Sequence, residues 1–148
     1  MNSEIKKINL EEKSYSIKVN NPFENFAYLR AMEESGSASE TSGWIPDHLG
    51  EIENQKLISF MPLYKKFNSY GEFIFDHQWA NALQRAGRSY YPKLLTAIPF
   101  TPCEGDRILA KNKKNKFNLI DAGIRKMEME QIESWHILFP NEDCKTIL

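Results

Sequence analysis

The feature that most constrains the fold is the apolar run KLLTAIPF at residues 93–100, in a chain otherwise rich in lysine, asparagine and glutamate. A run of this length and character predicts a buried strand. Prolines at both ends fix φ, so the flanking stretches YYP and FTP are expected to form rigid loops. Rigid loops with aromatic and hydroxyl groups suit a small polar ligand, but the same residues would equally well pack the end of a sheet. Both interpretations are open.

Apolar spacing elsewhere predicts strands and helices in alternation. The predicted elements are a strand at 14–19, a helix that begins at Phe23 and ends at the glycine stop of 35–37, a hairpin of 48–53 and 56–64, a strand at 71–76, a helix at 79–87, the strand at 93–100, a helix at 117–134, a strand at 135–140 and a helix that begins after Asn141. Pro62 has no N–H group and belongs at a sheet edge or a bulge. The stretch KNKKNKF at 111–117 is interpreted as a solvated basic turn. Hairpins mixed with helical connections predict an α/β domain with a mixed sheet.

Length, charge and cysteine content limit the classes of protein that fit. A chain of 148 residues predicts one domain. A net charge of −1 provides no global field for DNA or for an anionic membrane. No export leader and no apolar run of about 18 residues is present, so the chain is expected to be cytoplasmic and without a membrane span. Cys103 and Cys144 form no CxxC pair and have no histidine at ligand spacing, so neither a zinc site nor a disulfide framework is expected.

Three short features carry candidate chemistry, and each has a structural alternative. The stretch QRAGRS at 84–89 resembles the Q/R-x-x-G-x-G/A turn that cradles a coenzyme phosphate. Its glycine follows a predicted helix, however, which favours an ordinary C-terminal cap. His77 would serve as a general base or lie on the surface. His136, inside WHILFP, is expected to be a hydrogen-bonded histidine of a sheet.

Five segments, in their order and spacing, resemble the Fem-like, tandem-GNAT acyltransferase family, whose members are labelled peptidoglycan biosynthesis or recognition proteins. The segments are NPFENFAYLRAMEESGS, SGWIPDHL, MPLYKKFNSYGEFIFDHQWA, YYPKLLTAIPFTPCEGDRIL and WHILFP. The resemblance runs from about Asn21 to Leu148, and the SYGE-F-FD and YYPKLL-A-PFTP blocks are its most specific parts.

This resemblance implies a bacterial transferase with two GNAT-like halves, which moves an acyl or aminoacyl group onto an amine. The fold it implies is GNAT-like, with a mixed and largely antiparallel sheet flanked by helices. Residues 1–148 would be a single N-terminal domain, and the C-terminal GNAT half would be missing. The implied donor is acyl-CoA or aminoacyl-tRNA, and no metal is involved. The implied acceptor is a small-molecule or peptide-like amine, such as that of a cell-wall precursor.

The polar positions that match the family give the candidate site. Glu72 and Asp76 are the candidate catalytic residues, because either carboxylate would accept a proton from an incoming amine. The candidate substrate-binding residues are Tyr70, Trp79, Tyr91, Lys93, Thr101 and Arg107. Of these, Lys93 or Arg107 would hold a phosphate or a carboxylate.

The chain also departs from the family pattern. The family tends to carry histidines where Asn25 and Asn68 stand, and a tryptophan where His77 stands. If either of the two absent histidines is catalytic in the family, this chain lacks that general base.

Two other functions fit the same sequence. The first is a noncatalytic module that binds a peptide or a cell-wall precursor, because the usual coenzyme motif is absent. The second is a truncated remnant without independent function, because the apolar stripe of Cys144, Ile147 and Leu148 ends the chain without a helix cap.

Overall fold

The computed structural model describes residues 3–10 and 17–148, which form an α/β domain. The strands are β1 (Glu4–Lys7), β2 (Trp44–Pro46), β3 (Leu49–Glu53), β4 (Lys56–Met61), β5 (Tyr64–Lys66), β6 (Lys93–Thr96), β7 (Leu109–Ala110) and β8 (Trp135–Ile137). The helices are α1 (Phe26–Glu34), α2 (His77–Arg85), α3 (Lys113–Glu130) and α4 (Glu142–Lys145), and a 3-10 turn at Pro22–Glu24 precedes α1.

The strands divide into two four-stranded sheets. The first has the order β1-β3-β4-β7 and the second the order β2-β5-β6-β8. Every pairing is antiparallel except that of β6 with β8, which is parallel. The predicted α/β class, with mixed and largely antiparallel strands and flanking helices, is therefore confirmed. The predicted strand at 56–64 breaks at Pro62, where the chain leaves β4 in one sheet and enters β5 in the other.

The β3–β4 hairpin forms as its sequence predicts. Asn54 and Gln55, the two residues between the strands, have φ of 49° and 64°. Two consecutive residues with positive φ match the twist of antiparallel strands, and asparagine tolerates this conformation well. The hairpin places Glu51 opposite Ser59, where the register shifts before Ile52.

Four predicted elements differ from the structure. Residues 71–76 form no strand, and the predicted strand at 93–100 ends at Thr96. The basic stretch at 111–117 is the start of α3 and not a turn, because the side chain of Asn112 accepts a hydrogen bond from the backbone N–H of Asn115 and caps the helix. Of the predicted strand at 14–19, residues 14–16 lie outside the described residues and 17–19 are not in a strand.

The core lies between the sheets and helices α1 and α3. One cluster packs α1 against the first sheet through Phe26, Leu29 and Phe60, and another packs α3 against β4 and β6 through Leu119, Met61 and Leu94. Within residues 3–10 and 17–148, none of the helices combines the length and the apolar character required to cross a bilayer.

Candidate functional site

Four buried charged residues meet at the start of β6. Lys66, Glu72, Asp76 and Lys93 are each at most 3% exposed, and we refer to these four residues as the ionic cluster. Charged side chains are rarely buried unless they are paired. This cluster therefore marks the place where the fold holds charge away from water.

The sheet register explains why the cluster forms. Lys66 ends β5, Lys93 begins β6, and the two residues lie directly opposite each other in the antiparallel pair. Opposite residues point to the same face, where two like charges repel. The segment between β5 and α2 supplies the compensating carboxylates of Glu72 and Asp76. Burying two lysines side by side thus requires this segment to fold back over them.

All three protons of the Lys93 ammonium group are used. Its Nζ lies 2.7 Å from Glu72 Oε2, 2.6 Å from Asp76 Oδ2 and 2.9 Å from Ser69 Oγ. An ammonium group has three donors and no acceptor, so these bonds satisfy it completely. Lys93 is consequently a fixed internal cation and does not have a free donor for a substrate phosphate.

Asp76 is the main acceptor of the site. Its Oδ2 accepts hydrogen bonds from Lys93, from Tyr90 OH at 2.7 Å and from Ser69 Oγ at 2.7 Å. Burial alone would raise the pKa of Asp76, but the bonds from Lys93, Tyr90 and Ser69 outweigh it and lower that pKa to about 2. Asp76 is therefore ionised throughout the physiological range.

Glu72 and Lys66 are shifted in the opposite sense, towards their neutral forms. Burial raises the pKa of Glu72 and lowers the pKa of Lys66 to about 8. Glu72 Oε1 has no hydrogen-bond partner among the described residues and lies 3.9 Å from Lys66 Nζ. Lys66 Nζ donates to the backbone oxygen of Tyr70 at 3.1 Å and lies 4.0 Å from the centre of the Trp44 ring. Asp76 Oδ1 is also without a hydrogen-bond partner among the described residues, so the raised pKa is what makes Glu72, and not Asp76, the carboxylate suited to accept a proton.

Two tyrosines connect the cluster to a cavity of about 520 Å³. The cavity is lined by Ala80, Gln84, Gly87, Arg88, Ser89, Tyr90 and Tyr91. Tyr91 OH lies 2.7 Å from Ser69 Oγ, which in turn contacts Lys93 and Asp76. A chain of hydroxyl groups therefore runs from the cavity wall to the buried charges.

The structure does not bring all of the predicted site residues to this cluster. Glu72, Asp76, Tyr91 and Lys93 meet there. Tyr70 contributes its backbone oxygen while its ring is exposed, and the ring of Trp79 is exposed on α2. Thr101 lies elsewhere, with Oγ1 3.0 Å from Tyr28 OH.

Arg107 belongs to a second, separate buried ion pair. Its guanidinium group donates to the backbone oxygens of Cys103 and Leu138 and, at 3.2 Å, to Glu24 Oε1. Burial raises the pKa of Glu24 to about 7, although the charge of Arg107 opposes this shift. A Cβ at Gly105 would lie 1.8 Å from Glu24 Oε1, so only glycine leaves space for the pair. Arg107 holds loops together and has no guanidinium donor aimed at the 520 Å³ cavity.

The other sequence motifs can also be placed. Gly87 has φ of 72°, and the backbone N–H groups of Gly87 and Arg88 bond to Gln84 and Leu83 at the end of α2. These amides cap the helix as predicted and are not available to cradle a phosphate. His77 is exposed at the start of α2. His136 Nε2 lies 3.2 Å from Tyr90 OH, and burial lowers its pKa, as suits a neutral histidine of the sheet.

Sequence reasoning did not select Lys66 or Ser69 for the site. A signal for Lys66 was present. Tyr64 and Lys66 are two residues apart in a strand, so their side chains must point to the same face, which is buried. For Ser69, in an irregular segment, no periodicity was available.

The acid stability of the protein is expected to depend on Asp76. Because its folded-state pKa of about 2 lies below the ordinary value of 3.8, its contribution is fully present above pH 4 and is lost as the pH falls towards 2. Asp76→Asn should remove about 2 kcal/mol of that pH dependence, measured by urea unfolding between pH 4 and 2. The exposed Asp121→Asn serves as the control. If wild type and Asp76→Asn have parallel acid profiles, Asp76 is not the strong acid described here.

Together, the two sheets and the ionic cluster define an α/β domain in which hydrogen-bonded hydroxyl groups connect a cavity to buried carboxylates. A family model, FemAB-like, described as peptidoglycan biosynthesis/recognition, matches residues 4–148. The chain therefore belongs to this family, and the resemblance stated above is confirmed. No curated protein and no solved structure matches the chain.

Proposed function

We propose that this domain is the N-terminal half of a GNAT/Fem-type N-acyltransferase, in which it binds the acceptor amine and takes up the proton that the amine loses. The observation that carries the proposal is Glu72, a buried carboxylate with a raised pKa, which is linked through Lys93, Ser69 and Tyr91 to a cavity. The chain belongs to a family described as peptidoglycan biosynthesis/recognition, which is consistent with an acceptor amine from a cell-wall precursor.

The reaction makes one demand that this site is suited to meet. As the amine nitrogen bonds to the acyl carbonyl carbon, the bond to the leaving group breaks and the nitrogen must lose a proton. The leaving group would be a thiolate of coenzyme A or a ribose oxygen of tRNA. A general base works best when its pKa approaches the working pH. Burial raises the pKa of Glu72 in this direction, whereas the pKa of Asp76 is lowered to about 2.

The roles of the two carboxylates therefore separate. Asp76 holds Lys93, Tyr90 and Ser69 in position. A proton released beside Tyr91 would pass through Ser69 to Asp76. Lys93, which bonds both carboxylates, would donate a proton to Glu72 and receive one from Asp76. Each hydroxyl passes on one proton as it receives another, so Glu72 ends protonated and Lys93 stays charged.

The test is transfer by the full chain and by Glu72→Gln, assayed with labelled acetyl-CoA and with charged tRNA as donors and a lysine-containing cell-wall peptide as acceptor. Loss of a general base typically lowers the rate about 10²- to 10⁴-fold, so Glu72→Gln should retain at most about 1% of the activity. Glu142→Gln, a change at an exposed carboxylate, should retain all of it. Wild-type rates in Glu72→Gln would rule out Glu72 as the base.

A noncatalytic recognition module is the second candidate function. It is favoured by the complete burial of the Glu72 and Lys93 side chains, since a ligand in the cavity would contact Tyr91, Ser89 and Arg88 and would not reach these buried charges. Calorimetric binding of the cell-wall peptide by a chain that transfers nothing from either donor would support recognition over catalysis.

A further inference from the structure

We propose that residues 67–85, the aromatic arm, dock the protein on the surface of a lipid bilayer. The exposed aromatic side chains of the arm neither line the 520 Å³ cavity nor belong to the ionic cluster, so the inference does not depend on the proposed transferase activity.

The arm exposes an unusual set of large aromatic side chains. Five of them are between 53% and 94% exposed, namely Phe67, Tyr70, Phe73, Phe75 and Trp79. Single exposed apolar residues are ordinary, but a concentration of them marks an interaction surface. Tyrosine and tryptophan are also the residues enriched where proteins meet the headgroup region of a membrane.

Helix α2, which forms the second half of the arm, is largely exposed. None of the residues of α2 is buried by the described part of the chain, and only Ala80 and Leu83 are half-buried. A helix usually buries one apolar face against its own domain. Trp79, which precedes the half-buried pair, is instead 70% exposed, so α2 adds an exposed aromatic ring to those of residues 67–75.

The charges on the arm complement an anionic lipid surface. Its two carboxylates, Glu72 and Asp76, are buried and bonded to Lys93, so residues 67–85, all of which the structure describes, have no exposed carboxylate. Arg85 is exposed in the last turn of α2. Arg88, just beyond the arm, pairs with Glu133. Insertion of the aromatic rings would therefore desolvate no negative charge, and Arg85 would face the lipid phosphates.

The backbone of the arm is held in place before any contact with lipid. The oxygen of Tyr70 accepts bonds from Trp44 Nε1 and Lys66 Nζ. Phe73 has φ of 57°, a conformation that is unfavourable for an aromatic residue and persists only where its surroundings enforce it. Rings on a fixed backbone lose little conformational entropy on binding, which strengthens the association.

The test is flotation of the full chain with vesicles of phosphatidylglycerol and phosphatidylethanolamine. The wild type should float with the vesicles, and the double variant Phe75→Ser/Trp79→Ser should partition at least about tenfold less. Both rings are largely exposed, so the variant is expected to keep the thermal unfolding midpoint of the wild type. The control is Phe117→Ser/Met129→Ser, which removes two exposed apolar side chains of α3 and should float like the wild type.

Three results would overturn the proposal. In the first, the wild type does not float. In the second, Phe75→Ser/Trp79→Ser floats as well as the control Phe117→Ser/Met129→Ser. In the third, sedimentation without lipid detects self-association that only Phe75→Ser/Trp79→Ser abolishes, which would assign the arm to contact between copies of this chain. Raising the salt concentration should weaken flotation only slightly, because Arg85 is the one unpaired cation on the arm in the described structure.

Discussion

Arg107→Lys is expected to lower the free energy of unfolding by about 3 kcal/mol, although it retains the positive charge. The guanidinium group of Arg107 bonds in three directions, to Glu24, Cys103 and Leu138. An ammonium group on a shorter, unforked chain cannot reproduce this geometry, and the buried carbonyl oxygens lose their donor. The midpoint of thermal unfolding should fall by about 10 °C.

The matched control for this change is Arg125→Lys. Arg125 makes an ion pair with Asp121 one turn away on the surface of α3, and such pairs contribute about 0.5 kcal/mol or less. Equal effects of the two substitutions on urea unfolding would show that Arg107 acts through charge alone and that its three-way bonding contributes nothing.

Lys93→Met is expected to destabilise the protein by about 4 kcal/mol at pH 7. Methionine retains the volume of the side chain, but it leaves Glu72 and Asp76 buried without their bonded cation. The pKa values of both carboxyl groups would then rise, since each disfavours ionisation of the other. A raised folded-state pKa favours the folded protein as the pH falls, so the deficit should shrink between pH 7 and pH 4.

Lys65→Met is the control, because Lys65 is the neighbour of Lys66 on β5 and points to the opposite face, where it pairs with Glu130. Its removal should cost about 1 kcal/mol or less. A Lys93→Met deficit that stays constant with pH would contradict the view that unpaired carboxylates cause it.

How far the fold follows from the sequence is clearest at residues 71–76. The stretch GEFIFD alternates as a strand does, and its side chains do alternate between inside and outside. The direction is reversed, however, because Glu72 and Asp76 point inward while Phe73 and Phe75 point outward. The buried lysines determine this reversal. Lys66 ends the strand just before the segment, but Lys93, which bonds both carboxylates, comes from β6, beyond α2. The alternation therefore predicted a strand at 71–76 that does not form, because the segment is held by its carboxylates and not by its aromatic rings.

The candidate site was partly predictable for the same reason. Glu72, Asp76, Tyr91 and Lys93 were found because they lie in blocks that resemble a family, and they meet in space. Arg107 lies in the same blocks but serves another buried pair. Local spacing could not separate these two groups, since the separation depends on which loops pack together. The hairpin turn at Asn54–Gln55 and the helix cap at Gly87 were predictable because they depend only on neighbouring residues.

The absence of buried residues in α2 has a consequence for how the protein opens. Elements with few buried contacts unfold locally at low free energy, while the sheets remain intact. The backbone amides of α2 should thus exchange with solvent deuterium well before those of β4 and β6. The ionic cluster would hold α2 to the second sheet, since Asp76, the residue directly before the helix, bonds to Lys93 in β6.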